Sequence, residues 1–432
     1  MLALFQLVPA AARAQGPLSA ELIPDRQPVT GGDKTSQSGW SVAVSKDKAA
    51  ATRIRLSPTA NGVRMIVDLT RPVTIDARTL AEPDRVIVDL PAVDFRVDPS
   101  VGQKGEGPIK AFRYGLFGPK QSRMVIDTTG PVRIEKAQIV PAAAGGGAQL
   151  VLELVRQVPG TGPASPPAAI SQRAAASAPP PPEETDMVPP GTKSRPVIVI
   201  DPGHGGLDPG TVATGGLLEK NVVLSVSRHL RDLLARSGRY TVVITRSSDV
   251  YVSLDQRLRI SQQNAADLFI SVHADAVPEE NLAQAVRGAS IYTLSEQASD
   301  EQARRLAERE NSADIKAGLE SKTSDNRGEV RTILIDLLRR ETDDFSAHFR
   351  GLVAGELRKN ISLSREPQRA AAFKVLKQLH SPSVLIELGY MSNGEDQKML
   401  RSTEWQQQVA SSIAAAVDTY FASRTSGTAH KP

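Results

Sequence analysis

Two hydrophobic rhythms divide the chain. From Trp40 to Val155, short runs rich in β-branched and apolar residues recur, each closing on an acid and a turn. They read Arg64-Met-Ile-Val-Asp-Leu, Arg85-Val-Ile-Val-Asp-Leu, Arg123-Met-Val-Ile-Asp-Thr and, more loosely, Gln149-Leu-Val-Leu-Glu-Leu. Short runs of this kind between turn residues are strands. Repeated strands without a helical period predict an all-β domain of two packed sheets over residues 40–155. This stretch holds no histidine and no catalytic constellation, so it points to binding or localisation rather than chemistry.

Beyond residue 194 strands and helices alternate. Val197-Ile-Val-Ile-Asp, Leu268-Phe-Ile-Ser-Val-His and Ser383-Val-Leu-Ile-Glu-Leu are continuous apolar runs, the pattern of strands buried on both faces; Tyr240-Thr-Val-Val-Ile-Thr and Ala289–Leu294 are further strands. Between Glu219 and Ser237 the apolar residues Val222, Val223, Val226, Leu230, Leu233 and Leu234 fall on one helical face. Helices are also predicted at 254–265, 298–316, 345–360 and 404–423. The expected fold of 195–423 is α/β, a mostly parallel sheet flanked by helices.

Residues 156–194 separate the two parts. They carry ten prolines, including Pro179 to Pro182, and read as an extended spacer. At the start, the apolar stretch Leu2 to Ala12 and the small-x-small triplet Ala12-Arg13-Ala14 make residues 1–14 a candidate signal-peptide remnant, which implies export to the periplasm. No run of about 18 apolar residues occurs, so a membrane-spanning helix is not expected.

Composition narrows the chemistry. Cysteine is absent, which removes disulfide scaffolds, cysteine-ligated zinc, iron–sulfur clusters and thiol nucleophiles. The net charge of +4 lies in residues 40–155, with 16 Lys+Arg against 12 Asp+Glu. That excess suits an anionic polymer. An aromatic content of 4% and the lack of a Lys/Arg-dense stripe argue against nucleic acid.

Open parallel sheets place their sites beyond the C-terminal strand ends. His204, His273 and Glu387 occupy such places, and Glu219 opens the helix after the first loop. Two imidazoles and a carboxylate, with a fourth position for water, make up a catalytic zinc site, and the second carboxylate serves as general base. His229, His348 and His430 are read as structural, while His380, close in sequence to Glu387, is a candidate supporting group. The loop Asp201-Pro-Gly-His-Gly-Gly-Leu-Asp-Pro-Gly fails the phosphate-binding patterns. Its glycines suit tight backbone passage around a histidine ligand instead.

These motifs, with Glu219-Lys-Asn, Thr245-Arg, Ser271-Val-His-Ala-Asp and Pro382-Ser-Val-Leu-Ile-Glu-Leu-Gly-Tyr-Met-Ser-Asn, closely resemble the zinc-dependent N-acetylmuramoyl-L-alanine amidases of type 3. The likeness covers roughly 195–423, and the repeat-bearing stretch before the spacer looks like an AMIN domain. The resemblance implies hydrolysis of the amide between N-acetylmuramic acid and the L-alanine of peptidoglycan stem peptides, in cell separation at division. It implies one Zn2+ held by His204, Glu219 and His273, with Glu387 as the catalytic glutamate. It also implies an N-terminal module that targets the wall. A zinc peptidase cutting within the stem peptide and a non-catalytic peptidoglycan-binding protein are the alternatives.

The segment 298–344 suggests regulation. Its first helix aligns Ala303, Leu306, Ala307, Glu310 and Ala313, which turns Glu310 inward and leaves Glu308 outside. An inward carboxylate needs a partner or a cation. Val330, Ile333, Leu334, Leu337 and Leu338 form a second stripe. Glu310 is therefore expected to occupy the open zinc position, and the second stripe to dock a protein activator. Local pairing of Glu310, with the stripe as core, is the competing expectation.

Overall fold

The computed structural model describes residues 48–142, 146–157, 170–171, 195–277, 283–319, 332–378 and 380–427. The candidate signal-peptide remnant at 1–14, most of the proline-rich spacer, Val330 and His430 lie outside the described residues, as do the side chains of Ile333, Leu334, Leu337 and Leu338.

The N-terminal part is all β. Its strands are β1 (Ala49–Thr59), β2 (Gly62–Leu69), β3 (Asp76–Leu80), β4 (Arg85–Pro91), β5 (Val93–Phe95), β6 (Ile109–Gly118), β7 (Gln121–Thr128), β8 (Val132–Pro141), β9 (Ala148–Arg156) and β10 (Ile170–Ser171). They form two sheets, ordered β5-β1-β2-β9-β8 and β10-β3-β4-β7-β6. The four repeated motifs supply β2, β9, β4 and β7, so each sheet is centred on two of them. Period-2 alternation sends Val63, Met65 and Val67 from one sheet, and Val86, Val88, Met124 and Ile126 from the other, into a shared core. Burial of each such side chain stabilises by roughly 1.5–3 kcal/mol. The leading polar residue (Arg64, Arg85, Arg123 or Gln149) and the acid of each motif face away from that core. On β4 and β7 the antiparallel register sets Arg85 opposite Asp127 and Asp89 opposite Arg123.

The second part follows as β11 (Val197–Pro202), α1 (Glu219–Arg236), β12 (Thr241–Ile244), α2 (Leu254–Gln263), β13 (Leu268–His273), β14 (Ala289–Leu294), α3 (Glu301–Asn311), α4 (Ala313–Lys316), α5 (Thr332–Arg358), β15 (Leu363–Ala371), β16 (Ser383–Glu387), α6 (Gly394–Arg401) and α7 (Thr403–Gly427). The sheet order is β12-β11-β13-β16-β14-β15. All pairings are parallel except β14 with β16. Helices cover both faces. Val223, Val226 and Leu230 of α1 join Phe349 and Val353 of α5 and Ile413 and Val417 of α7 over one face. Leu254 of α2 and Ala303, Leu306 and Ala307 of α3 cover the other.

Two helix expectations are corrected. The stretch 298–316 is two helices, because the Ser312 hydroxyl donates to Arg309 O at 2.6 Å and ends the first. The helix foreseen at 345–360 begins at Thr332, so it is continuous with the stretch that bears the second apolar stripe.

A buried ion pair fixes the strand ends under the site. Asp201, at the end of β11, accepts from Arg257 Nη1 at 2.6 Å, Thr245 Oγ1 at 2.6 Å and Ser271 Oγ at 2.9 Å. Arg257 also donates to Pro202 O at 2.7 Å and His204 O at 2.8 Å. Burial pushes the Asp201 carboxyl up, but Arg257 and the two hydroxyls outweigh it and hold it below its ordinary value. A group whose folded value is depressed stabilises above the ordinary carboxylate range, and the contribution is lost as pH falls through the folded value. Arg257→Met leaves Asp201 buried without its cation, and chemical denaturation should show a loss of roughly 3–5 kcal/mol at neutral pH that shrinks on acidification. A loss below 1 kcal/mol would contradict this account.

Candidate metal centre

The C-terminal ends of three adjacent parallel strands build the site. His204 follows β11, and the β13–β16 register places His273 directly beside Glu387. Glu219 enters from the first turn of α1, where it is fully buried. The loop between His204 and Glu219 passes so close to the strands that a Cβ on Gly203 would lie 2.4 Å from the His273 ring. His204 itself adopts φ +57°, a left-handed conformation that an L side chain rarely takes. The Arg257 contact to its carbonyl helps hold that backbone in place.

His204, His273 and Glu310 offer ligand atoms within 4.8 Å of one another, and Glu219 stands against both rings. His204 Nε2 lies 3.0 Å from Glu219 Oε1 and 3.5 Å from Glu310 Oε2, while His273 Nδ1 lies 3.4 Å from each of the same two oxygens. The two rings stand nearly perpendicular, at 76°. Donor atoms bonded to one tetrahedral zinc at about 2.0–2.1 Å lie about 3.3 Å apart, so these separations fit a single ion. His204 Nε2, His273 Nδ1 and Glu387 Oε1 are buried and have no hydrogen-bond partner among the described residues. Atoms left in that state suit a cation, since an orphaned buried polar atom is otherwise costly. Of the sequence-predicted residues, His204, His273 and Glu219 come together, Glu387 stands beside them, and Glu310 of α3 completes the ring. Glu308 is on the exposed side of α3, paired to Arg304.

Surrounding groups orient these donors. Asp208 Oδ2 contacts His204 Nδ1 at 2.9 Å, which turns Nε2 inward. Glu219 accepts from Ala274 N at 2.9 Å and Thr211 N at 2.8 Å. Glu387 Oε2 accepts from Asp275 N at 2.9 Å. Asp275 in turn accepts from Thr211 Oγ1 at 2.9 Å and pairs with Arg309 of α3. Sequence reasoning assigned no role to Asp208 or Asp275, although both stand in the quoted motifs and Asp208 lies four residues after His204. His380 is exposed and takes no supporting role; Asp275 holds Glu387 instead. His229 and His348 also lie outside the site.

The electrostatics are those of crowded carboxylates. Burial pushes the Glu387 carboxyl up, and the charges of Glu219 and Glu310 add to it, so it stands well above the ordinary range. Burial opposes ionisation of Glu219, but His204 and His273 outweigh it and hold that carboxyl well below the usual value. Burial likewise opposes charge on His204, where Glu219, Asp208 and Glu310 together raise it well above its ordinary value. Burial also works against the Asp208 carboxylate, which His204 nevertheless holds down at about 2. If Asp208 sets the ring of His204, Asp208→Asn should weaken zinc binding about 10- to 100-fold in calorimetric titration of metal-free protein. Unchanged affinity would remove Asp208 from the site's support.

Comparison with known proteins agrees with this architecture. Residues 198–419 match the family model described as N-acetylmuramoyl-L-alanine amidase, and residues 53–154 match that of the AMIN domain. The chain is 31% identical to the N-acetylmuramoyl-L-alanine amidase AmiC of Escherichia coli O6:H1 over 403 residues, which is 89% of this chain and 93% of that protein. It is 32% identical to AmiC of Neisseria meningitidis serogroup B, covering 86% of this chain and 89% of that one. Against AmiA of Escherichia coli K12 it is 36% identical over 226 residues, 52% of this chain and 76% of that protein. An α/β domain with two histidines and two glutamates gathered at its strand ends, behind an AMIN domain, is thus the fold of an enzyme, and the chain belongs to the N-acetylmuramoyl-L-alanine amidase family.

Proposed function

We propose that this chain is a zinc-dependent, self-occluded peptidoglycan amidase of the periplasm that acts in cell separation. The observation that carries the reading is the cluster of His204, His273 and Glu310, whose ligand atoms all lie within 4.8 Å of one another, with Glu219 Oε1 3.0 Å from the first ring and 3.4 Å from the second. His204, Glu219 and His273 would hold the ion, and Zn2+ in that place supplies Lewis acidity toward a carbonyl and a water.

The proton work falls to Glu387. Its Oε2 is fixed by the Asp275 amide and its Oε1 has no partner, so Oε1 is the free acceptor. A carboxylate with raised basicity takes the proton of the attacking water. It then returns that proton to the amide nitrogen as the L-alanine amine departs. The substrate amide would lie between the lactyl group of N-acetylmuramic acid and L-alanine, the bond in the family's name.

Glu310 fits a brake. It is buried, it fills the fourth position of the donor set, and its neighbour Arg309 occupies Asp275 beneath Glu387. The cavity bordered by His204, His273 and Glu310 measures about 20 Å³, room for a water and far too little for a glycopeptide. Beside it, a cavity of about 420 Å³ runs between Asp275–Val277 and α3, where a stem peptide would lie once α3 withdraws. A protein activator would pull on the apolar stripe at the start of α5. The AMIN domain, with its basic excess, would concentrate the enzyme on the anionic wall, and the AMIN domain together with the AmiC relatives supports a place in the cell envelope.

Glu387→Gln should keep bound zinc and wall binding while losing about 10²- to 10⁴-fold of the hydrolysis of purified sacculi. Intact stem peptides bearing a free L-alanine amine are the expected products by mass. Cuts within the stem peptide would favour a zinc peptidase, and undiminished zinc-binding without any hydrolysis in the parent chain would favour a wall-binding protein. Glu310→Ala should raise basal hydrolysis without an activator, and unchanged or lower activity would count against the brake.

A further inference from the structure

The face of the β4–β7 sheet turned away from the module's own core is covered. Val86, Val88, Met124 and Ile126 point into that core, yet Ile87 and Val125, on the opposite face of the same strands, are also fully buried. They pack with Leu207, Tyr251 and Ala317 of the catalytic domain. The first repeat offers an internal contrast: in β2 the equivalent outward residue Ile66 is only half-buried and Arg64 is exposed.

What covers this face is the tail of the plug. Three arginines of the module reach four successive backbone carbonyls at the end of α4 and just beyond it. Arg85 donates to Ile315 O, Arg113 Nε to Lys316 O at 2.7 Å, and Arg123 Nη1 to Ala317 O and Gly318 O at 3.3 Å each. Each guanidinium is aimed by an acid of the neighbouring strand. Asp127 takes Arg85 at 2.9 Å and Arg113 at 3.0 Å, and Asp89 takes Arg123 through both oxygens at 2.6 and 2.9 Å. Charged donors on carbonyls are among the stronger hydrogen bonds. Gly318, at φ +70°, lies so near that a Cβ there would stand 2.4 Å from Ile87 Cδ1.

A second thread ties the same points together. Arg123 stacks over Phe117 at 3.6 Å, and Phe117 stacks on Tyr251 at 5.8 Å and 10°. Tyr251 donates from its hydroxyl to Asp314 Oδ1 at 2.7 Å. The backbone of Tyr251 donates to Leu116 O at 3.1 Å. Asp314 belongs to α4, four residues past Glu310, so the short helix is gripped by the module on one side and by the catalytic domain on the other.

We infer that the outward face of the β4–β7 sheet is an intramolecular docking surface for residues 315–318, and that the AMIN domain thereby clamps Glu310 in place. This rests on the reading of Glu310 as a brake. Glu310 cannot leave the metal centre without moving the segment it shares with those four carbonyls. Anything that draws the module away, the wall included, would then loosen the brake at the place where the enzyme is bound.

The test uses the full chain with Val125→Glu, which sets a carboxylate against the carbonyls and Gly318 without touching the module's core. Two readouts are taken: hydrogen exchange of amides 303–319, and release of dye from labelled sacculi without activator. Exchange should quicken and basal hydrolysis should rise about tenfold, the response to losing one charge-assisted hydrogen bond from the closed state. Gly318→Val, which disturbs the same contact from the other side, should do the same and serves if the first variant fails to fold. Unchanged exchange and unchanged hydrolysis in a folded variant, alongside a Glu310→Ala chain that is activated, overturn the clamp and leave the brake standing. Faster exchange, with neither Glu310→Ala nor Val125→Glu activated, keeps the docking surface but overturns the brake and the clamp's regulatory role.

Discussion

Three buried carboxylates crowded around two imidazoles form the constraint on which the rest of the molecule turns. Glu219, Glu310 and Glu387 are all withdrawn from water, and like charges at such distances raise one another's cost. A protein interior tolerates the arrangement only with compensating positive charge. Everything nearby is organised to keep the cluster together: Arg257 grips Asp201 and the His204 carbonyl, Asp208 turns the His204 ring, and backbone amides from residues 211, 274 and 275 hold the glutamates. A divalent cation among the inward atoms would offset the repulsion that remains.

The sequence displayed much of this plainly and some of it not at all. Strand ends marked by Asp201, His273 and Glu387 were legible because a parallel sheet brings C-terminal ends side by side whatever the connections do. The inward turn of Glu310 was legible from helical spacing alone. The break at Ser312 was not, since it rests on a hydroxyl finding the Arg309 carbonyl, a choice between two local hydrogen-bonding options of similar energy. Asp275 was hidden for another reason. It acts on Glu387 through its backbone amide, and a main-chain donor leaves no mark on residue type. The covered face of β4 and β7 was invisible too, because Arg-x-Ile-x-Asp outward of a strand reads equally well as a solvated surface, which it is on β2.

The two domains share more than a chain. The repeated motif that builds the β sandwich also supplies, on its outer side, Arg85 and Arg123, which together with Arg113 of β6 meet residues 315–318, and the acids that aim all three come from that motif on the neighbouring strand. One pattern thus serves packing on one face and recognition on the other. It also gives the AMIN domain a mechanical relation to the centre, since residues 313–319 and the loop beyond His204 both touch it. Residues 315–318 thus connect the β module to the helix that carries Glu310.

The proposed chemistry requires one ion shared by residues from distant parts of the chain. A crystal structure of the zinc-loaded protein, with anomalous scattering recorded on both sides of the zinc edge, tests it most directly. A single anomalous peak bonded to His204 Nε2, His273 Nδ1 and a Glu219 oxygen, with Glu310 in the remaining position, is the predicted result. A peak elsewhere, or two histidines turned apart with no peak between them, would contradict it.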